Sequence, residues 1–345
     1  MVIHSASSDD ASLEYQENVI AATASLVEIQ DLTLRPQTLA DYIGQKEIKK
    51  NLSVFMEASQ KRSEPLEHVL LHGAPGLGKT TLANILAREM KANIRVTSGP
   101  ALERQGDVAS LITNLENGDI LFIDEIHRLK PVVEEVLYSA MEDFAIDLIL
   151  GKGPSARSMR LNLPRFTLIG ATTKLNMISS PLRDRFGHVF RLDFYADDEV
   201  GAILNRSSQL LSISIESNAV QRLALSSRRT PRIANRLLRR IRDFASVQGL
   251  SSISLSLVEA SLGEMGIDQE GLDETDRFLL RFIVEKFQGG PVGLNTVSAA
   301  TGEEAQTLED IYEPFLLQKG FLDRTPRGRI VTSLGYTHLG LPIPS

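Results

Sequence analysis

His68–Val–Leu–Leu–His72, running into Gly73–Ala–Pro–Gly–Leu–Gly–Lys–Thr80, is the stretch that decides the fold of this 345-residue chain. Gly73, Gly78, Lys79 and Thr80 fill the fixed positions of the phosphate-loop pattern, with Gly76 inside it. Glycines let the backbone curl so that successive N–H groups point inward at phosphate oxygens. Lys79 would reach the β and γ phosphates, and the Thr80 hydroxyl would hold Mg²⁺. An apolar run of strand length precedes the loop. Thr81–Leu–Ala–Asn–Ile–Leu–Ala–Arg88 follows and reads as a helix whose positive N-terminus faces the phosphates. With both flanks in place, a glycine-rich surface turn explains the stretch less well than a nucleoside triphosphate site.

Further along, Asp119–Ile–Leu–Phe–Ile–Asp–Glu–Ile–His127 puts four apolar residues in a row, as in a strand buried on both faces of a parallel sheet. Asp124 and Glu125 close it, where a buried strand avoids charge unless a ligand is there. Asp124 would order Mg²⁺ and its waters, and Glu125 would polarise the attacking water. An Asp–Glu pair points to ATP hydrolysis rather than nucleotide storage. Phe166–Thr–Leu–Ile–Gly–Ala–Thr–Thr173 is a second buried strand ending in hydroxyls, and Val189–Tyr195 a last one. Strands alternate with helices, including 46–60 and Pro131–Phe144, and the chemistry sits at strand C-termini. The expected class is α/β with a doubly wound parallel sheet.

Composition narrows the setting. Apolar residues make up 42%, enough for real cores, and the net charge of −7 leaves room for local basic patches. With no cysteine, disulfide and thiolate chemistry are excluded, and a reducing compartment is expected. No apolar run approaches the ~18 residues of a spanning helix. The opening residues lack a basic segment followed by an apolar core, so a cytoplasmic protein with no membrane partner is expected.

Four regions follow. Residues 1–33 read as a flexible tail, 34–195 as the large nucleotide-binding domain, 196–266 as a helical lid and 267–345 as a third unit. Leu34–Gln45 carries Leu39, Tyr42 and Ile43 and serves either as a wall for an adenine ring or as ordinary loop packing. Residues 147–163 read as a hairpin with Ile149 and Leu150 near its tip, either a docking surface or packed on its own domain. Lid helices are expected at 198–211, 217–227 and 230–245. The last carries Arg232, Arg236, Arg239, Arg240 and Arg242, a solvated face except for Arg232 in its first turn. Helices at 274–288, 294–300 and 304–318, followed by a hairpin around Pro326–Arg–Gly328, form a winged-helix pattern. After Glu313 the only acidic residue is Asp323, against Lys319, Arg324, Arg327 and Arg329. Such a wing suits phosphate contact with a duplex, or is simply a solvated tip.

Together these motifs resemble an AAA+ P-loop ATPase with a helical lid and a C-terminal winged helix. The likeness is closer to the RuvB family, the motor of Holliday-junction branch migration. It is carried by Leu34–Arg–Pro36, Asp41–Tyr–Ile–Gly–Gln45, Gly76–Leu–Gly–Lys–Thr–Thr–Leu–Ala83, Phe122–Ile–Asp–Glu–Ile–His–Arg–Leu129, Leu168–Ile–Gly–Ala–Thr–Thr173, Ser180–Pro–Leu–Arg–Asp–Arg–Phe–Gly187, Thr230–Pro–Arg–Ile–Ala–Asn–Arg236 and Arg324–Thr–Pro–Arg–Gly–Arg329. The resemblance implies ATP with Mg²⁺ as cofactors. It implies catalytic roles for Lys79, Asp124, Glu125, Thr173 as sensor 1 and Arg185 as an arginine finger, and makes Arg232 sensor 2. Leu34, Arg35, Gly73, Gly76, Gly78, Lys79, Thr80, Thr81, Glu142, Asp143, Phe144, Arg185, Tyr195 and Arg232 would contact the nucleotide. Thr80 and Asp124 would serve the metal, and Arg324 and Arg329 would touch DNA.

The partners implied are duplex DNA at Holliday junctions, RuvA docked on hairpin 147–163, the RuvC resolvase complex, and copies of the chain in a homohexamer, with a monomer allowed for the isolated chain. Ala74 stands where the family usually has Pro, Lys174 where it has Arg, and Arg229 where it has Gly. A protein-remodelling or clamp-loading AAA+ module remains open as a rival, as does a nucleotide-regulated adaptor. The basic wing speaks against the first, and Glu125 with Arg185 against the second.

Overall fold

The structure, a computed structural model, describes residues 33–150 and 157–343. The expected tail, apart from its last residue, and the tip of hairpin 147–163 lie outside the described residues. So do the side chains of Ile149 and Leu150, on which the docking expectation rests.

Five segments make the central sheet: β1 (Val69–His72), β2 (Ile94–Ser98), β3 (Ile120–Asp124), β6 (Thr167–Thr172) and β7 (His188–Arg191). Between them, β4 (Ala145–Leu150) and β5 (Arg157–Asn162) pair as a separate antiparallel hairpin. The sheet order is β2-β3-β6-β1-β7, and every pairing is parallel. Successive side chains of a strand point to opposite faces, so a strand covered on both sides needs apolar residues at every position. Val69 and Leu71, Ile120 and Phe122, and Ile169 and Ala171 face one core, shared with the helix Lys79–Glu89. Leu70, Leu121, Ile123 and Leu168 face the other, shared with the helices Gln105–Thr113 and Pro131–Glu142. Strands β1, β3 and β6 therefore end side by side, which brings Gly73, Asp124 and Thr173 to one edge.

The last strand is shorter than expected. Beyond Arg191 the chain leaves the sheet, and the Tyr195 amide donates to the Arg229 carbonyl at 3.1 Å. The lid helices Asp197–Leu210, Ser217–Ser226 and Pro231–Val247 fall within a few residues of expectation. In the last of these, Ala234, Leu237, Leu238, Ile241 and Ala245 are buried while the arginines face outward or line the surface. A further helix, Leu255–Glu264, was not anticipated. It lies in a serine-rich stretch of modest helix propensity, and its start is fixed by Ser254, whose hydroxyl accepts from the Leu257 amide. Leu204, Leu223, Leu237 and Ile241 of the lid join the same core as Leu82, Ile85 and Leu86 of the phosphate-loop helix. The lid is thus fused to one face of the sheet.

The third unit has its own core, from Leu272 through Leu280, Ile283, Val297 and Leu316 to Tyr336. Helices Glu274–Phe287 and Leu294–Thr301 lead into a run that is helical from Ala305, widens to a π turn over Leu308–Tyr312 and continues as Glu313–Gln318. Strands β8 (Leu322–Thr325) and β9 (Gly328–Val331) form the wing, and a short helix Ser333–His338, with no signal in the sequence reading, closes it. Arg228 of the lid fastens this unit. Its guanidinium donates to Asp273 at 2.7 Å and to the fully buried Asp276 at 2.5 Å, and lies 5.0 Å from the Phe315 ring centroid.

Candidate active site

The phosphate loop curls as its glycines require. Gly78 has φ +104°, and a Cβ there would come within 2.7 Å of the Tyr42 hydroxyl. Gly76 has φ +80° and would meet Arg232 Cβ at 3.0 Å. Both positions combine left-handed backbone with close approach, which only glycine meets without strain. From beneath, the phenols of Tyr42 and Tyr195 lie 3.3 and 3.2 Å from the Leu77 carbonyl. Burial pushes the Tyr195 hydroxyl up to about 12, so both rings stay neutral props. Lys79 is buried and donates to the Gly73 and Ala74 carbonyls at 2.7 and 2.9 Å. Burial lowers its pKa to about 8, against the favourable pull of Asp124. A desolvated ammonium held only by loop carbonyls is poised to exchange them for phosphate oxygens.

Strand β3 delivers Asp124, whose Oδ1 accepts from the Glu125 amide at 2.9 Å. Glu125 sits at φ +48° and its side chain pairs with Arg128 at 3.0 Å, both partly open to solvent. Beneath them His127 is buried, its Nδ1 2.9 Å from the Thr172 hydroxyl. Burial lowers the His127 pKa, so the neutral ring acts as a spacer tying the end of β6 to the turn after β3. The Lys174 amide donates to the same Thr172 hydroxyl at 2.9 Å, which orients Thr173 beside the cavity. In the sequence His127 stands only as part of a motif. Its bracing role depends on β3 and β6 being neighbours, which no local signal records.

A cavity of about 560 Å³ opens at this edge, within the usual size of a ligand site. Its lining includes Leu34, Arg35, Gly76, Gly78, Lys79, Thr80, Thr81, Asp124, Glu125, Thr173, Tyr195 and Arg232. Gly73 stands just outside the lining and contributes its carbonyl to Lys79. The segment before the sheet does form a wall, because Arg206 of the lid donates to the Leu34 carbonyl at 2.8 Å. Arg206 and Arg128 also line the cavity and were not singled out from the sequence. Neither were Glu304, Gln306, Thr307, Asp310 and Ile311, which the winged-helix unit contributes. Arg229 takes φ +51° where the family pattern has Gly, and the helix still begins at Pro231.

The donor set fits a phosphate-bound Mg²⁺. Thr80 and Asp124 line one cavity, and no cluster of three His, Cys, Asp or Glu suited to a metal occurs among the described residues. Mg²⁺ typically takes one or two protein ligands and completes its shell with phosphate oxygens and water.

Besides Gly73, four expected nucleotide contacts are not in this cavity. Arg185 donates to Glu142 and to the Pro181 carbonyl, each at 2.8 Å, and lies 4.8 Å from the Tyr138 ring centroid. Asp143 pairs with Arg160. Phe144 and Arg185 line a second cavity of about 340 Å³ with Arg62, His68 and Arg165. Glu142, Asp143, Phe144 and Arg185 therefore share a separate face, and within one chain they do not line the phosphate-loop cavity.

The wing also departs from expectation. Arg329 is buried, donating to Glu313 at 2.6 and 3.2 Å and approaching Glu309 at 3.3 Å. A guanidinium spent on two carboxylates does not present free charge to a phosphate backbone. Arg324 is half exposed and also pairs with Glu309. Arg327, at the exposed turn, makes no ion pair among the described residues.

Three family descriptions match the chain in succession: "Holliday junction DNA helicase RuvB P-loop domain" over residues 34–192, "RuvB AAA lid domain" over 195–268, and "RuvB C-terminal winged helix domain" over 269–340. Among solved structures, the Thermotoga maritima RuvB Holliday junction branch migration motor is 51% identical, with a TM-score of 0.83 over 90% of this chain and 100% of that one. A lysine-to-arginine mutant of Thermotoga maritima RuvB is 51% identical, with a TM-score of 0.84 over 90% and 99% of the two chains. An arginine-to-alanine variant is 50% identical, with a TM-score of 0.83 over 90% and 99%.

Proposed function

This chain belongs to the RuvB family, and from that membership and the geometry of its cavity we propose that it is the ATP-driven motor subunit of Holliday-junction branch migration. The observation that carries the reading is the meeting of Lys79, Thr80, Asp124, Glu125 and Thr173 around one cavity at the sheet edge. Lys79 neutralises the β and γ phosphates. Thr80 and Asp124 would hold Mg²⁺, which when bound would supply further charge neutralisation at the phosphates. Glu125, released from Arg128, orients and polarises the attacking water, and Thr173 positions it against the γ-phosphate. Leu34, Arg35 and Tyr195 shape the opposite end, with Arg232 bringing the lid onto the nucleotide.

Arg185, with Glu142, Asp143 and Phe144, serves the nucleotide of a neighbouring subunit, which a homohexameric ring supplies. Their absence from the chain's own cavity supports this reading. We assign residues 34–195 to the ATPase domain, 196–266 to the lid and 267–345 to the DNA-binding winged helix. Arg324 lies at the DNA face, joined by Arg327, while Arg329 braces the wing from inside. RuvA docks on hairpin 147–163, RuvC joins at the junction, and the assembly works in the cytoplasm on recombining or damaged DNA. No helix among the described residues is long and apolar enough to cross a membrane.

The test is migration of a synthetic four-way junction with RuvA and ATP. Wild type should move the branch. Glu125→Gln should bind ATP, since the amide keeps shape and size, yet neither hydrolyse it nor migrate the junction. Undiminished hydrolysis by Glu125→Gln would sink the role given to that carboxylate.

A further inference from the structure

One wall of the nucleotide cavity comes from the winged-helix unit, more than a hundred residues from the phosphate loop. Within it, Asp310 is mostly shielded, and its Oδ1 lies 3.8 Å from Lys174 Nζ, which is equally shielded. Lys174 directly follows Thr173, which lines the cavity just past the end of β6 together with Lys79. Asp310 is also among the carboxylates whose field favours charge on Lys79 and on His127. Asp310 itself lines the cavity with Lys79 and Thr173, so a carboxylate of one domain stands at the side where a bound polyphosphate would end, paired with Lys174 just behind the lining.

ATP and ADP differ by one phosphate and about one unit of negative charge. That extra phosphate extends toward the group of residues around Lys79 and Thr173. There it is repelled by the Asp310 carboxylate, which lines the same cavity. ADP, lacking that phosphate, meets less opposition. We propose that Asp310 is a specificity-determining residue of the nucleotide site: while segment 304–311 covers the cavity, it favours the diphosphate over the triphosphate. ATP binds fully only when that segment moves away. This role of Asp310 presupposes that the cavity is an ATP site.

The neighbouring residue gives the displacement a destination. Glu309, next to Asp310 on the same π turn, pairs with both Arg324 and Arg329 of the wing. Moving Asp310 away from Lys174 moves the carboxylate that holds the wing arginines. The terminal phosphate and the wing are thus linked through two adjacent side chains.

The experiment measures Kd for ADP and for a non-hydrolysable β,γ-imido ATP analogue on the full chain. Wild type, Asp310→Asn and Asp310→Lys form a graded charge series. The ratio of analogue Kd to ADP Kd should fall at least ~5-fold in Asp310→Asn and further in Asp310→Lys, with ADP affinity changed about twofold or less. ADP affinity serves as the folding control for each variant, so the ratio reads the charge at position 310 rather than the integrity of the site. An unchanged ratio across the series with ADP binding intact overturns the role of Asp310 alone. Failure of wild type to bind either nucleotide would overturn the ATP-site reading beneath it.

Discussion

Arg329 on the wing and Glu313 on the preceding helix form a buried, two-contact ion pair, Nε to Oε1 at 2.6 Å and Nη2 to Oε2 at 3.2 Å. Both side chains are almost wholly shielded from water, 9% and 4% exposed. Removing one partner of such a pair strands the other charge and costs on the order of 3–5 kcal/mol. Arg329→Ala should therefore lower the thermal midpoint clearly, and its loss of DNA binding should follow from a loosened wing. Arg327→Ala should leave the midpoint nearly unchanged while reducing the salt slope of duplex binding by about 0.9. Melting curves and DNA binding at several salt concentrations separate the two. An unchanged melting midpoint in Arg329→Ala, with the slope reduced, would make Arg329 a phosphate contact after all.

Lys79 carries a signature of its desolvation. Burial holds its pKa near 8 in the folded chain, well below the ~10.4 of an unfolded lysine. Between those values the unfolded chain binds more protons, so this group makes folding more favourable as pH rises from 8. Nucleotide binding runs the other way, because phosphate needs the ammonium form. Apparent ATP-analogue affinity should fall by up to about tenfold per pH unit above 8. Calorimetry at about pH 8.5, in two buffers of different ionisation enthalpy, should show net proton uptake on binding. Binding without proton uptake would mean that Lys79 is already fully charged in the free site.

Arg185 rests against Glu142 and Tyr138, away from its own phosphate loop. Arg185→Ala should bind nucleotide nearly normally and lose on the order of 10³–10⁵ in hydrolysis rate if it acts on a neighbour's γ-phosphate. Lys79→Ala has a dead pocket and an intact finger. Mixed rings of the two variants should regain part of the hydrolysis, since each supplies what the other lacks. No recovery in rings shown to be mixed rejects the shared site and leaves Arg185 a structural arginine.

The motifs legible in the sequence are those whose chemistry is local. Gly76 and Gly78 need left-handed backbone wherever they fold, and the residues after them start a helix, so the phosphate loop carries its geometry with it. The runs Leu70–Leu71, Leu121–Ile123 and Leu168–Ile169 announce strands covered on both faces, because only such strands are apolar at consecutive positions. From these the α/β class and the line of chemistry along the strand ends follow.

Other features depended on which segments meet in space. Arg329 reads as a free basic residue until Glu313, one helix earlier, is seen to bury with it. The family resemblance implies nucleotide contacts for Glu142 and Phe144, and only the fold shows that the end of helix Pro131–Glu142 meets Arg185 rather than the chain's own phosphate loop. His127 becomes a brace only because β3 and β6 are adjacent, and Asp310 reaches the nucleotide cavity only because Arg228 pins the winged-helix unit against the lid. Charge pairing and cavity walls are long-range: a side chain's partner is chosen by the packing of distant elements, whereas a turn's backbone angles and a strand's alternation are written in the residues themselves.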